Sequence, residues 1–296
     1  MGSVQATRQI TRTMEMVSTA KIRRALERAK QAEPYKDAIK LMLAHVASAG
    51  VDAGQPLLLA HDQERSVLFV LIASDRGLAG GFNIMQERYV LREMGRLRAR
   101  GVRCSLVTCG KKPTEYFRYR GEEPVMSFVD MSSEPTMDEA DRIASYAMDG
   151  YVSGKLDRVT VVYQHAKNRV DQTQVVEDLL PSSAADLTLP NRPRREAALE
   201  HVGAELYTEF EIEPSASKVL GYLMPAYIRT VVYHALLDSA AAEHGARRRA
   251  MKSATDNANE VITNLSRTYN KVRQGSITTE LNEIIGGASA LEDNNA

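Results

Sequence analysis

Tryptophan is absent from this 296-residue chain, and aromatic residues make up only 6% of it. A thick core built on large rings is therefore excluded, and the abundance of Ala, Met and charged residues favours long helices. Cysteine is almost as scarce. Cys104 and Cys109 lie five positions apart in the run CSLVTC. On a strand they point to opposite faces, which argues against a disulfide or a metal pair and for buried thiols. The six His are dispersed without HxxxH or HExxH spacing, so a zinc centre has no support. Net charge is missing too. The 38 Lys plus Arg balance 38 Asp plus Glu, and no global field draws the chain to nucleic acid or anionic lipid. No apolar run approaches the roughly 20 residues of a membrane span, and no secretory signal opens the sequence. The expectation is a soluble chain of a reducing compartment that meets a membrane only through partners.

What is present falls into three blocks. Residues 1–50 read as a basic helix rich in Ala and Met. Ile10, Met14 and Val17 share one face, followed by Ala25, Ala29 and Ala32, then Ile39, Leu43 and Val46, each set at spacings of four and three. Pro34 is expected to kink this helix or divide it. Residues 60–210 alternate strand-like and helix-like runs, beginning with the wholly apolar VLFVLIA (67–73). Further strands are read at VRCSLVTCG, DRVTVVYQHAKN and VDQTQVVEDLLP. Helices are read at NIMQERYVLREMGRLRARG, KKPTEYFRYRG and TMDEADRIASYAMDGYVSG, and a polar loop at 181–196. Such alternation implies a small α/β sheet.

Residues 215–296 form the third block. Between Gly245 and Gly275 there is neither Gly nor Pro, and Gly286-Gly287 supplies a stop signal. Met251, Thr255, Ala258, Ile262, Leu265, Tyr269 and Val272 keep a 4-3-4-3-4-3 spacing, a coiled-coil seam. Some 70 helical residues at about 1.5 Å each make a rod on the order of 100 Å, expected to protrude and pair with the first block. Its seam is weakly apolar and its flanks are crowded with Asn, Thr, Ser and Gln. That composition suits a surface meeting several environments better than one tight partner; a coiled coil that merely spaces two modules is the plainer reading.

The turn SDRGLAGGFN (74–83) sets glycines beside an acid–base pair, directly after a buried strand. As a phosphate cradle it fits poorly. Gly77, Gly80 and Gly81 give GxxGG, not GxGxxG, and no Lys follows as in GxxxxGK[ST]. Nor does an acidic residue end the second strand, where CSLVTCGKK is basic. The glycines are expected to turn the first strand into its helix, with Asp75 and Arg76 pairing locally or facing a neighbour.

Four segments together carry a resemblance. QITRTMEMVSTAKIRRA (9–25), SDRGLAGGFN (74–83), AMKSATDNANEVI (250–262) and TYNKVRQGSITTELNEIIGGASAL (268–291) resemble, in order and spacing, the gamma subunits of F-type ATP synthases. The resemblance implies a long antiparallel coiled coil of N- and C-terminal helices plus a small Rossmann-like α/β domain. It implies a non-catalytic rotor with no cofactor or metal, turning inside a ring of alternating catalytic and non-catalytic subunits. It also implies a small epsilon-type stalk partner and a membrane rotor ring of c-type subunits. Residue by residue, Met14, Lys21, Arg23, Arg24 and Arg247 match positions near acidic hinge loops of the ring. Arg273, Gln274 and Thr278 match polar contacts higher up, and Ile284, Ile285, Ala288 and Leu291 match a tip within an apolar collar. Asp75, Arg76, Phe210 and Glu213 are expected to meet the membrane rotor ring or the small stalk subunit.

Departures from the family pattern are few. About ten residues that usually precede the SVQ-like start are not seen before Ser3, so either the true start lies upstream or the first helical turns are lacking. Gly275 stands where Ala is usual, costing about 1 kcal/mol of helix propensity. Ala79 replaces a frequent Cys. The loop at 181–196 has no Cys, so the thiol-regulated chloroplast insertion is absent. With no transit peptide, the expectation is a bacterial protein on the cytoplasmic side of the inner membrane, held there by its partners. Against the rotor reading stand a nucleotide-binding enzyme with a helical arm and an unrelated coiled-coil scaffold. The first is decided on the purified chain: the rotor reading expects no ATP hydrolysis and no tight nucleotide binding in a fluorescence titration. Hydrolysis abolished by Asp75→Ala would overturn it.

Overall fold

The computed structural model describes residues 1–48, 55–168, 171–182 and 212–293, without the side chains of 47–48 and 286–293. Among these, ten elements follow in order: α1 (Gly2–Ser48), β1 (Ser66–Ile72), α2 (Phe82–Ala99), β2 (Arg103–Cys109), α3 (Lys111–Tyr119), β3 (Met126–Phe128), α4 (Met137–Val152), β4 (Arg158–Ala166), β5 (Gln172–Leu180) and α5 (Ala216–Asp293). The chain divides into two compact units, residues 18–247 and residues 1–17 with 248–296.

In the larger unit the sheet order is β3-β2-β1-β4-β5. β1 pairs in parallel with β2 and β4, β2 with β3, and β5 closes one edge antiparallel to β4. Every residue of β1 is buried, because helices cover both faces of a parallel sheet. Its alternation sorts the core. Val67, Phe69 and Leu71 pack with Val90, Met94 and Leu97 of α2 and Phe117 of α3. Leu68, Val70 and Ile72 pack on the other side with Ile143 and Ala147 of α4, Ile39 and Leu43 of α1, and Met224 and Ile228 of α5. Cys104 and Cys109 fall on these opposite faces. Burial pushes both thiols up, Cys109 the further, since it is enclosed in the core. The extended reading of VRCSLVTCG and the helices that follow the strands stand as expected. The short β3 went unread, since three residues carry no alternation to recognise.

Of the expectations about helix breakers, division at Pro34 and a stop at Gly286-Gly287 are corrected. α1 runs through Pro34 without division; Pro34 sits on the exposed side, where only one backbone bond is lost. α5 likewise runs through Gly286-Gly287 to Asp293. Glycine weakens a helix by about 1 kcal/mol per residue but does not end it. The apolar face of α1 also begins one residue later than read. Ile10 is 60% exposed and Val17 is exposed, while Thr11, Ser18, Ile22, Ala25 and Ala29 are buried. The phase set by Ala25, Ala29, Ile39 and Leu43, counted back in fours and threes, lands on Ser18 and Thr11.

The smaller unit pairs the first turns of α1 with α5. The hydroxyls of Thr11 and Thr255 meet at 2.7 Å, and Arg8 donates to Asn259 at 3.4 Å. As one number rises the other falls by a like amount, so the two helices are antiparallel. Each hydroxyl also has a backbone carbonyl within reach, Arg8 for Thr11 and Met251 for Thr255; with one hydrogen apiece, one threonine donates to its carbonyl and the other to its partner hydroxyl. Met251, Thr255 and Ala258 are buried, but Leu265, Tyr269 and Val272 are exposed. Beyond Ile262 the expected seam positions are therefore open to solvent among the described residues.

The turn from β2 into α3 gives a stability test. Gly110 has φ +114°, and a Cβ there would lie 2.9 Å from the Ala73 carbonyl oxygen. Gly110→Ala is expected to cost about 2–3 kcal/mol by urea denaturation. Gly77→Ala, whose Cβ would point into open space, is expected to stay within about 0.5 kcal/mol.

Candidate partner-contact interface

The turn after β1 sits at the carboxyl edge of the parallel strands, where open α/β sheets bind ligands. Here that edge is filled by the protein itself. The Asp75 carboxylate accepts backbone N–H bonds from Lys111, Asp130 and Ser132, each at 2.8 Å. Lys111 opens α3, so the helix N-terminus that could hold an anion already holds this carboxylate. Asn83 Oδ1 accepts from the Ser74 N–H at 3.0 Å and from its hydroxyl at 2.9 Å. Gly80 takes φ +59° and Leu78 φ +62°. The cradle reading is thereby excluded by geometry as well as by spacing.

From the other side comes α5. Arg247 Nη1 lies 2.7 Å from Glu243 Oε1 one turn earlier. Nη2 donates to the carbonyls of Arg76 at 3.0 Å and Gly77 at 3.2 Å. Arg247 is 8% exposed and Glu243 1%. Loss of solvation pushes the Glu243 carboxyl up, against the pull of Arg247. His244, 3.4 Å from Arg247 Nη1, is pushed down to about 4, first by burial and then by the charges of Arg247 and Lys21. Below the turn, Ala25, Ala79, Ala241, Ala242 and Ala246 form a small-residue cluster with Phe82 and Ala166. Ala79 is buried there, so a small side chain is what that position needs.

A family model described as ATP synthase matches residues 1–291. An ATP synthase gamma chain of Xylella fastidiosa (strain M12) is 40% identical over 289 residues, 98% of this chain and 96% of the relative. That of Xanthomonas axonopodis pv. citri is 38% identical over the same shares. The chain belongs to the ATP synthase gamma-chain family. Two solved structures share its fold. The rotor of Euglena gracilis mitochondrial ATP synthase has a TM-score of 0.59 at 18% identity, covering 93% of this chain and 95% of that one. The central stalk of the Tetrahymena thermophila mitochondrial enzyme has a TM-score of 0.57 at 22% identity, covering 83% and 99%. A gamma chain is the stalk subunit of its complex and not the catalytic one.

Within this gamma-chain fold the expected contact residues separate clearly. Lys21, Arg23 and Arg24 are exposed on α1, with Arg23 paired to Glu27 at 2.9 Å. Met14 is half-buried on the same helix. Arg273, Gln274, Thr278, Ile284 and Ile285 all lie exposed on α5, with Ile284 72% exposed. The Thr278 hydroxyl donates to the Gln274 carbonyl at 2.8 Å, leaving its lone pairs outward. Glu213 is exposed just before α5. Phe210 lies outside the described residues, as do the loop beyond Ser182 and the side chains of Ala288 and Leu291.

For three of the expected contact residues the surroundings are specific. Arg247 does not present a free cation, since its guanidinium is enclosed by Glu243 and two carbonyls. Asp75 is a clasp inside the domain, with both carboxylate oxygens bonded. Arg76 remains exposed, but it sits at the Arg247 end of the domain. Strand β1 runs up alongside α5, whose Ser239 hydroxyl bonds the Ile72 carbonyl at the strand's far end. The turn is thus at the opposite end from Glu213. Sequence reasoning missed Leu78, whose signal appears only in its backbone angle.

The buried pair and His244 give opposing pH effects that mutants separate. His244 folded binds its proton later than unfolded, so the unfolded chain takes up more protons as pH falls from about 6.5 to 4, and stability is lost through that window. Glu243, raised, works in the other direction. His244→Gln is expected to flatten the loss relative to the parent, by up to about 3 kcal/mol between those limits, in urea melts run at several pH values. Glu243→Gln alone, which strands the Arg247 charge, is expected to cost about 3–5 kcal/mol.

Proposed function

We propose that this chain is the rotating central stalk of an F-type ATP synthase, coupling transmembrane ion flow to ATP synthesis and hydrolysis without bond chemistry of its own. The observation that carries the reading is the unpartnered end of α5. From Tyr269 to Ile285 it leaves Tyr269, Val272, Ile277, Leu281, Ile284 and Ile285 largely in water. Six large apolar side chains on one helix are costly to expose, at about 25 cal/mol per Å², and mark a surface that another molecule covers. In a gamma chain that cover is the ring of alternating catalytic and non-catalytic subunits, with Ile284 and Ile285 in its collar and Arg273, Gln274 and Thr278 below.

Polar, shallow contacts suit a shaft that passes three equivalent catalytic subunits, because a deep apolar anchor at one would hold it there. Lys21, Arg23 and Arg24, with Met14 on the same helix, supply ring-facing charge that attracts without burial. Arg76 and Leu78 join this ring-facing set. Glu213, with the Phe210 segment, meets the membrane rotor ring of c-type subunits and the small epsilon-type stalk subunit. On this reading residues 1–50 and 215–296 are the shaft and 60–210 the foot. Rotation then carries unequal faces past each catalytic site and shifts its binding equilibrium. No described helix is long and apolar enough to cross a membrane, and attachment to the cytoplasmic side of a bacterial inner membrane runs through the partners.

Membranes reconstituted with the complete complex, and with a complex lacking this chain, test the proposal. ATP-driven proton pumping, followed by quenching of a pH-sensitive dye, is expected only with the chain present. Equal pumping without it would refute the role.

A further inference from the structure

Leu78 is held against its own preference. Its φ of +62° costs a non-glycine residue about 1–2 kcal/mol, in a turn that supplies glycine at 77, 80 and 81. Glycine would adopt this angle freely. Burial does not repay the leucine either, since its side chain is 62% exposed. Gly77 meanwhile has neither a positive φ nor a crowded Cβ position. The turn therefore places an apolar side chain outward, in a strained conformation, where a glycine would fold more easily.

The strain persists because the neighbouring backbone is gripped. The two carbonyls immediately before Leu78, of Arg76 and Gly77, both accept from Arg247 Nη2. Asp75 is clasped by three backbone N–H groups, and Asn83 ties Ser74. Glu243 fixes the guanidinium from within α5. Removing Arg247 releases the segment directly beside the strained residue.

We propose that Arg247 is a positioning residue for energy coupling. Its guanidinium locks the 76–78 turn to α5, so that Leu78 stands as a rigid apolar contact, with Arg76 beside it, toward the catalytic ring. The inference rests on the stalk reading above. Arg247 acts through Leu78 and does not itself touch the ring.

The test uses the complete complex in membrane vesicles, reading ATP-driven proton pumping per ATP hydrolysed. Arg247→Met and Leu78→Ala are each expected to lower that ratio about fivefold. The double variant is expected to match the single ones, because both remove the same contact. Arg247→Lys, lacking the planar fork, should fall between parent and Arg247→Met. If Arg247→Met fails to assemble, Arg247→Lys and its Leu78→Ala double decide by the same comparison. Hydrogen exchange of amides 75–79 should rise in the Arg247 variants, while β1 stays protected. A multiplicative loss in the double variant, or full coupling in Arg247→Met or Arg247→Lys, overturns the inference. A complex lacking this chain that pumps as well as the parent would instead overturn the stalk reading.

Discussion

A carboxylate that is 1% exposed has to be answered by a cation, and much of the larger unit is arranged around that requirement at Glu243. Arg247 answers from one helical turn away. Because a guanidinium carries five donors in a fixed fork, its remaining N–H groups must also find acceptors once buried. They find them on the turn that leaves β1. One buried charge thus determines how α5 meets the carboxyl edge of the sheet. Replacing the edge's usual ligand with the protein's own groups converts a potential binding site into a joint.

The same substitution recurs at Asp75. A helix start that offers unsatisfied N–H groups is an anion site in other α/β proteins, and here a side chain from the neighbouring turn occupies it. Two adjacent residues of one motif thereby have different fates. Asp75 has its carboxylate tied to the backbone while staying half-buried, and Arg76 is left in solvent with its carbonyl engaged. The glycines nearby matter less as a cradle than as slack that lets both happen within a few residues.

Much of this was legible in the sequence. The burial of VLFVLIA on both faces, the two faces of CSLVTC and the spacing of Ala25, Ala29, Ile39 and Leu43 all follow from local geometry. The phase of the first turns of α1 was not, because Thr11 and Ser18 are polar and Ile10 and Val17 are apolar; only the packing farther along the helix fixes which line is buried. Nor could the run ARRR reveal that its first arginine is buried, its second half-buried and its third exposed. Charge alone suggests surface, and the deciding partner, Glu243, was an ordinary acidic residue until its burial was known. Glycine pairs were over-read as stops, since propensity weighs against a helix without forbidding one. The strain at Leu78 has no residue-type signature at all.

The threonine pair of the seam has a consequence for how α1 and α5 are matched. Two buried hydroxyls that answer each other fix which residue of one helix stands beside which of the other. A shift of either helix by one residue would leave both hydroxyls among apolar neighbours without that partner, at a cost that purely apolar contacts would not impose.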